Sequence, residues 1–404
     1  MEKCLVYLDN NATTKVDERV FEKMIPFLTE KYGNPSSMHE FGGEISHDVA
    51  KAREQVADLL GAANDYEITF TGCGTESANI AIKGALEINK EKKHIITTKV
   101  EHPCVLNLYK WLEKRGYRTT YIGVNSEGEL DLDELKHSIT DDTALVSVMW
   151  ANNETGVVFP VEKIANMIKE INPKTLFFVD AVQACGKIPI DVKNTKIDML
   201  GIAGHKFHAP KGVGALYVRR GIMLPPLMLG GHQERSLRPG TENVASIVGM
   251  GEAAVLAKEY LYDEATRVFD LRNQLEKGIL STVFNARVNS AKALRVPNTS
   301  NISFEYIEGE LILLHFSQNG ICASSGSACT SGSLEPSHVL KAMGIPFTAL
   351  HGSIRFSLSR YTTQEEIDYT LKMIPDIIKK INSYSPYQKE LKELCEIRKN
   401  NKNA

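Results

Sequence analysis

Lys206 stands in Gly204-His205-Lys206, directly after an apolar run that reads as a strand. A lysine at a strand's end can form a Schiff base once burial and a neighbouring cation lower its pKa. Asp180 lies 206 − 180 = 26 residues earlier and closes another apolar run, 176–179. In an α/β sheet the carboxyl ends of the strands face the ligand crevice. A carboxylate there, facing a pyridine nitrogen, keeps that nitrogen protonated and lets the ring draw electrons. Gln183 follows where it can hydrogen-bond a ring substituent. Each of these also has an ordinary reading. Most lysines are solvated, and Asp180 alone suits a helix N-cap.

Further groups of the same kind sit at the ends of other strand-like runs. Gly72-Cys73-Gly74-Thr75-Glu76-Ser77 joins a strand pattern, 68–71, to a helical one, 77–86. Its glycines free backbone N–H groups for an anion, the helix N-terminus adds its dipole, and Thr75 adds a hydroxyl. A dinucleotide fingerprint needs Gly where Ser77 stands, and a Walker A loop needs a Gly-Lys-Ser/Thr that is absent, so a single phosphate fits better. His102 follows the run 94–98 and can stack on a flat ring or shuttle protons; a buried structural histidine is the other reading. Asn152-Asn153-Glu154 follows the run 145–150, and Arg238-Pro239-Gly240-Thr241-Glu242-Asn243 makes a tight turn before a helix. Arg355, on a strand pattern, suits a bidentate grip on a carboxylate, or an ordinary ion pair. Ser324-Ser325-Gly326-Ser327-Ala328-Cys329-Thr330-Ser331-Gly332 sets one thiol among residues too small and polar to pack a core. That composition predicts a mobile loop carrying a nucleophile that can travel. Taken alone it also fits a surface loop with an incidental cysteine. The order along the chain (cradle, His, Asn, Asp-x-x-Gln, His-Lys) is what makes the separate ordinary readings hard to sustain together.

The elements that must position these groups alternate in type. Residues 43–60 form an amphipathic helical pattern, with Ile45, Val49, Ala52, Val56 and Leu59 at helical spacing and Gly61 as the stop. Short runs rich in β-branched and aromatic residues recur at 68–71, 94–98, 119–124, 145–150, 176–179, 199–202 and 214–218. With helices between several of them, they predict βαβ units around a mostly parallel sheet covered on both faces. After residue 251 the style changes. One long helical stretch, 252–278, leads to a strand at 300–304, a helix at 309–319, the cysteine loop, a strand at 352–358 and a helix at 363–382. That is the pattern of a smaller α+β unit. Residues 385–404 are a charged tail, expected as a frayed, solvated end, although Leu391, Leu394 and Cys395 could form a narrow apolar stripe.

Composition narrows the class. The chain has 404 residues, enough for two domains, with 43% hydrophobic and 24% charged residues and a net charge of −3. Nothing in that balance points to nucleic acid. The seven cysteines are scattered and odd in number, with no C-x-x-C, which argues against a disulfide framework and a zinc site and suits a reducing compartment such as the cytoplasm. No signal peptide is expected at the N-terminus, and no apolar run reaches membrane-spanning length.

Together these motifs resemble the cysteine desulfurases of the NifS/IscS kind, within the fold type I pyridoxal phosphate enzymes. The resemblance runs from Tyr7-Leu8-Asp9-Asn10-Asn11-Ala12-Thr13-Thr14 to the final helix. It is most specific in Gly-His-Lys, Arg-Pro-Gly-Thr-Glu-Asn and the cysteine string. It implies a large pyridoxal-phosphate-binding domain, 13–258, and a small domain, 1–12 with 259–384, that carries the cysteine loop. Lys206 would hold pyridoxal 5'-phosphate as a Schiff base and move protons at the substrate's α-carbon. His102 would stack on the ring, Asp180 would pair with its nitrogen, and Gln183 would contact its phenolic oxygen. Gly74, Thr75 and His205 would hold the phosphate, with Thr241 supplied by the other subunit of a homodimer. Asn153 and Arg355 would position L-cysteine, and Cys329 would take its sulfur as a persulfide, leaving L-alanine. An iron–sulfur scaffold protein would be the acceptor, in the cytoplasm. A related lyase, such as a selenocysteine lyase, is the alternative and would not need Cys329. One position departs from the family. Ala203 stands where a serine usually helps bind the phosphate, and one lost hydrogen bond to a charged group costs roughly 1.5–3 kcal/mol of cofactor binding.

Overall fold

A computed structural model describes residues 5–325 and 336–402. Its strands, in chain order, are β1 Val6–Tyr7, β2 Ile68–Thr71, β3 His94–Thr98, β4 Arg118–Ile122, β5 Thr143–Met149, β6 Leu176–Asp180, β7 Met199–Ala203, β8 Gly214–Val218, β9 Ala286–Asn289, β10 Thr299–Phe304, β11 Ile321–Cys322 and β12 Ser353–Ser357. Seven of them form one sheet in the order β2-β8-β7-β6-β5-β3-β4. From β4 to β7 every pairing is parallel, while β8 runs antiparallel to both β7 and β2. Every residue of β3, β5 and β7 is buried. That is why these runs read as continuous apolar segments rather than alternating ones: helices cover both faces of a parallel sheet. The expected α/β class, with a mostly parallel sheet flanked by helices and a smaller α+β unit, is the observed one.

Parallel pairing brings the carboxyl ends of β3, β5, β6 and β7 to one edge. Asp180 is level with Met149 on one side and Gly201 on the other. The segment after β7 turns at once into a 3₁₀ turn, Gly204–Lys206, so Lys206 emerges at that same edge.

The smaller unit is an antiparallel sheet, β12-β10-β9, with the two-residue β1 paired to β11 beside it. Its core gathers Val6 and Leu8 with Leu271, Leu275, Ile302, Phe304, Phe316, Phe356 and Ile374. Residues 339–350, by contrast, place Val339, Leu340, Met343 and Leu350 in the core of the large sheet. The chain's start and its last third are therefore packed together.

Several local expectations need correction. The helix expected from Ser77 begins at Gly74, which puts Gly74 and Thr75 inside its first turn. The helix ending at Leu60 begins at Glu40, because the His39 ring accepts the Gly42 N–H at 3.1 Å; it stops at Gly61, whose φ of +60° is left-handed. The long stretch expected at 252–278 starts at Val244 and is interrupted. Val244–Glu259 leads through a π turn, Glu264–Val268, into Phe269–Thr282. The tail is a helix, Gln388–Lys402, rather than a frayed end, and it is docked by Leu391, which is only 4% exposed. Burying one leucine and stacking Tyr387 near Tyr306, with ring centres 5.7 Å apart, supplies the tertiary contact that a short polar helix lacks alone. Among the described residues no helix is long and apolar enough to cross a membrane.

Candidate active site

The strand ends enclose a cavity of about 330 Å³. Lining it are Gly74, Thr75, His102, Asn153, Asp180, Gln183, Ala203, His205, Lys206 and Arg355. Sequence-predicted residues from both units of the chain thus meet in one place. Two of the predicted residues do not join them: Thr241 is exposed and lies outside this cavity in a single chain, and Cys329 lies outside the described residues.

Each group is held by its own local structure. Lys206 Nζ donates to the backbone carbonyls of Asn11 at 2.6 Å and Ala12 at 2.8 Å. Asp180 is buried at the end of β6, and its Oδ1 accepts the Val182 N–H at 2.9 Å. Burial raises its pKa, and the His102 ring, that N–H and the Lys206 amine pull the other way. His102 is the N-cap of the helix Pro103–Glu113, where its Nδ1 accepts the Cys104 N–H at 3.2 Å. Burial lowers its pKa, so the neutral ring is favoured; Lys206 and His338 add to this and Asp180 opposes it. His205 is pushed down to about 4, first by burial and then by Lys206, Lys211 and Lys187, which leaves a neutral ring near Thr13 Oγ1 at 3.2 Å.

The phosphate-sized end is built from backbone. The helix Gly74–Ile88 starts there without a side-chain cap, so its first-turn N–H groups are open to an anion. A Cβ at Gly74 would meet Val182 Cγ2 at 2.9 Å, which fills the cradle and explains the glycine. The same ideal Cβ lies 3.5 Å from Ala203 Cβ, so Ala203 faces the helix end directly and offers it no hydroxyl. At the opposite end, Arg355 is 3% exposed on β12. Its guanidinium pairs with Asp9 at 2.8 Å and donates to the Asn153 carbonyl at 2.9 Å, while among the described residues its Nε has no hydrogen-bond partner. This is a buried ion pair rather than a surface one. Donors at one end, a carboxylate and an imidazole across the middle, and a lysine amine beside them fit pyridoxal phosphate in size and in chemistry.

Asn11 is a functional residue that spacing alone did not single out. Its N–H donates to Ser357 Oγ at 2.9 Å and its Nδ2 to Thr299 Oγ1 at 2.8 Å. Its carbonyl accepts from Lys206 and from Gln183 Nε2 at 3.0 Å. Cys73 and Cys104 also line the cavity, and the latter's thiol pKa is raised by burial. In the sequence Asn11 stands out only as part of the segment 7–14 where the resemblance begins, with no role attached to it. Among the described residues no group of His, Cys, Asp and Glu could hold a metal ion.

A family model described as aminotransferase class-V matches residues 6–370. A cysteine desulfurase of Nostoc sp. (strain PCC 7120 / SAG 25.82 / UTEX 2576) is 58% identical over 386 residues, covering 96% of each chain. The cysteine desulfurase NifS of Azotobacter vinelandii is 55% identical over 382 residues, 95% of this chain and 94% of that one. Among solved structures, a NifS-like protein superposes with a TM-score of 0.88 at 43% identity, covering 93% of this chain and 99% of that one. A structure described as SspA in complex with cysteine superposes with a TM-score of 0.78 at 36% identity, covering 88% of this chain and 99% of that one.

Proposed function

Because the chain belongs to the class-V aminotransferase family, and within it to the cysteine desulfurases, we propose that it converts L-cysteine to L-alanine and passes the sulfur to Cys329. The convergence of Lys206, Asp180 and His102 from three strand ends on one cavity is the observation that carries this reading.

Pyridoxal phosphate, when bound, supplies a conjugated ring that draws electrons from the substrate's α-carbon. Lys206 is the residue to hold it and to carry a proton to and from that carbon, with its amine at the cavity wall. With the cofactor bound, Asp180 would pair with the ring nitrogen, Gln183 would contact the phenolic oxygen and His102 would stack on the ring, while Gly74, Thr75 and the neutral His205 would hold the phosphate. Arg355 and Asn153 orient the substrate, the planar guanidinium of Arg355 being suited to its carboxylate. The Cys329 thiolate attacks the substrate sulfur. The carbon–sulfur bond breaks, a sulfur–sulfur bond forms, and the bonding pair left on carbon takes a proton to give the methyl group of alanine. The thiolate is the required form of the nucleophile.

The enzyme acts as a homodimer in which Thr241 reaches the partner's phosphate site. The persulfide supplies an iron–sulfur scaffold protein in the cytoplasm. The chain divides into 13–258 as the cofactor-binding domain and 1–12 with 259–384 as the smaller one, which the separate apolar core around Leu275 and Phe356 supports. The test is to add pyridoxal phosphate to apoprotein and follow the visible band and alanine formation from L-cysteine. The wild type gains both, and Lys206→Ala gains neither. A Lys206→Ala protein that still makes alanine would overturn the assignment.

A further inference from the structure

Behind the cofactor lysine sits a second, fully enclosed lysine that the chemistry above does not use. Lys187 is 6% exposed. Its Nζ donates to Gln183 Oε1 at 2.6 Å and to Asn11 Oδ1 at 3.1 Å. Asn11 is also the residue whose carbonyl holds Lys206, so the two amines share one asparagine. Lys187 also lines a small cavity of about 10 Å³, room for one water, whose wall includes Lys206 as well. Glu264 and Arg360 line the same cavity, and among the described residues Glu264 Oε2 and Arg360 Nε both lack hydrogen-bond partners. Glu264 is the first residue of the π turn Glu264–Val268, an irregularity that often marks function.

The contacts settle how the Gln183 amide is turned. An ammonium group has donors only, so the atom it meets at 2.6 Å must be the carbonyl oxygen. The amide nitrogen therefore points the other way. One of its hydrogens goes to the Asn11 carbonyl, and Gln183 also lines the main cavity.

We propose that Lys187 is a positioning residue for the cofactor: it fixes Gln183 as a donor to the ring's phenolic oxygen and sets a second positive charge behind Lys206, with Glu264 as counter-ion across the small cavity. This rests on the cofactor reading above. Burial lowers the Lys187 pKa to about 7, helped by Lys206 and Arg355 and opposed by Glu264 and Cys185. Burial likewise raises Glu264 to about 7, with Asp263 adding and Lys187, Arg360 and Arg267 opposing. His205 and His208 also feel the Lys187 charge.

Two variants separate the donor from the charge. Lys187→Met removes both, and Lys187→Gln removes the charge while keeping an N–H for Gln183. The readouts are the dissociation constant for pyridoxal phosphate and the pH midpoint of the visible band, which reports the proton on Lys206 Nζ. Losing a neighbouring cation favours the protonated form, so both variants raise the midpoint by about half a unit or more. Only Lys187→Met weakens cofactor binding, roughly tenfold. If Lys187→Met does not fold, Lys187→Gln still reads the charge effect. A midpoint equal to the wild type's in Lys187→Gln would overturn the proposal. So would unaltered cofactor affinity in Lys187→Met. A wild type that shows no band at all would refute the cofactor reading itself and the inference with it.

Discussion

Ala203 gives the most quantitative test of the phosphate site. It ends β7 with extended backbone, φ −131° and ψ 124°, which a serine adopts without strain. It lines the main cavity, and its Cβ sits 3.5 Å from where a Cβ on Gly74 would be, at the start of the helix that offers its N–H groups. A hydroxyl added there would face the uncapped start of that helix, where the phosphate would be held. A hydrogen bond to a charged acceptor contributes roughly 1.5–3 kcal/mol, and ordering the hydroxyl takes back about half a kcal/mol or more. The net, about 1–2 kcal/mol, is roughly a 5–30-fold tighter dissociation constant. Ala203→Ser should therefore retain pyridoxal phosphate longer on dialysis and show that gain in a direct titration of apoprotein. Each tenfold gain should also add about 1.4 kcal/mol to the stability of the saturated protein. An unchanged or weaker dissociation constant, with an apoprotein that melts like the wild type, would mean that another donor already fills this place. The argument from Ala203 would then be wrong.

Arg355→Lys keeps a positive charge but loses the planar fork, so KM for L-cysteine should rise by roughly tenfold to a hundredfold with cofactor binding unchanged. A KM within twofold of the wild type would remove Arg355 from the substrate site. His208 is 5% exposed, and its pKa is held down to about 3 by burial first and then by Arg360. The unfolded chain binds this proton near pH 6.5 and the folded one does not. The stability is therefore complete above about 6.5 and lost as pH falls toward 3. Melting temperature should fall between pH 6.5 and 4.5. His208→Asn, which tolerates the φ of +71° found there, should flatten that fall by about 2 kcal/mol. An identical slope in the variant would assign the acid sensitivity to other groups.

The large sheet was legible because its strands are short, apolar and separated by helices. β2, β3 and β8 fall on the expected residues, and β6 and β7 each extend one residue further. β1, β9 and β11 were not legible. They are two to four residues long, and pairing such as Val6 with Ile321 is a contact across the whole chain that no local pattern records. The same reason hid Asn11, whose partners lie at Lys206, Thr299 and Ser357. Lys187 was not singled out, because its partners Asn11 and Gln183 and the small cavity it shares with Glu264 come from three separate parts of the chain. Lys206, Asp180 and His102 were legible for the opposite reason: each follows an apolar run, and the carboxyl ends of parallel strands meet at one edge.

The most direct test of the central claim is alanine and sulfide release from L-cysteine, with and without a thiol reductant, for the wild type and Cys329→Ala. The account predicts sulfide release in the wild type that depends on reductant, and loss of both products in the variant. Alanine formation that survives the loss of Cys329 would contradict it and leave a lyase that does not pass sulfur through this thiol.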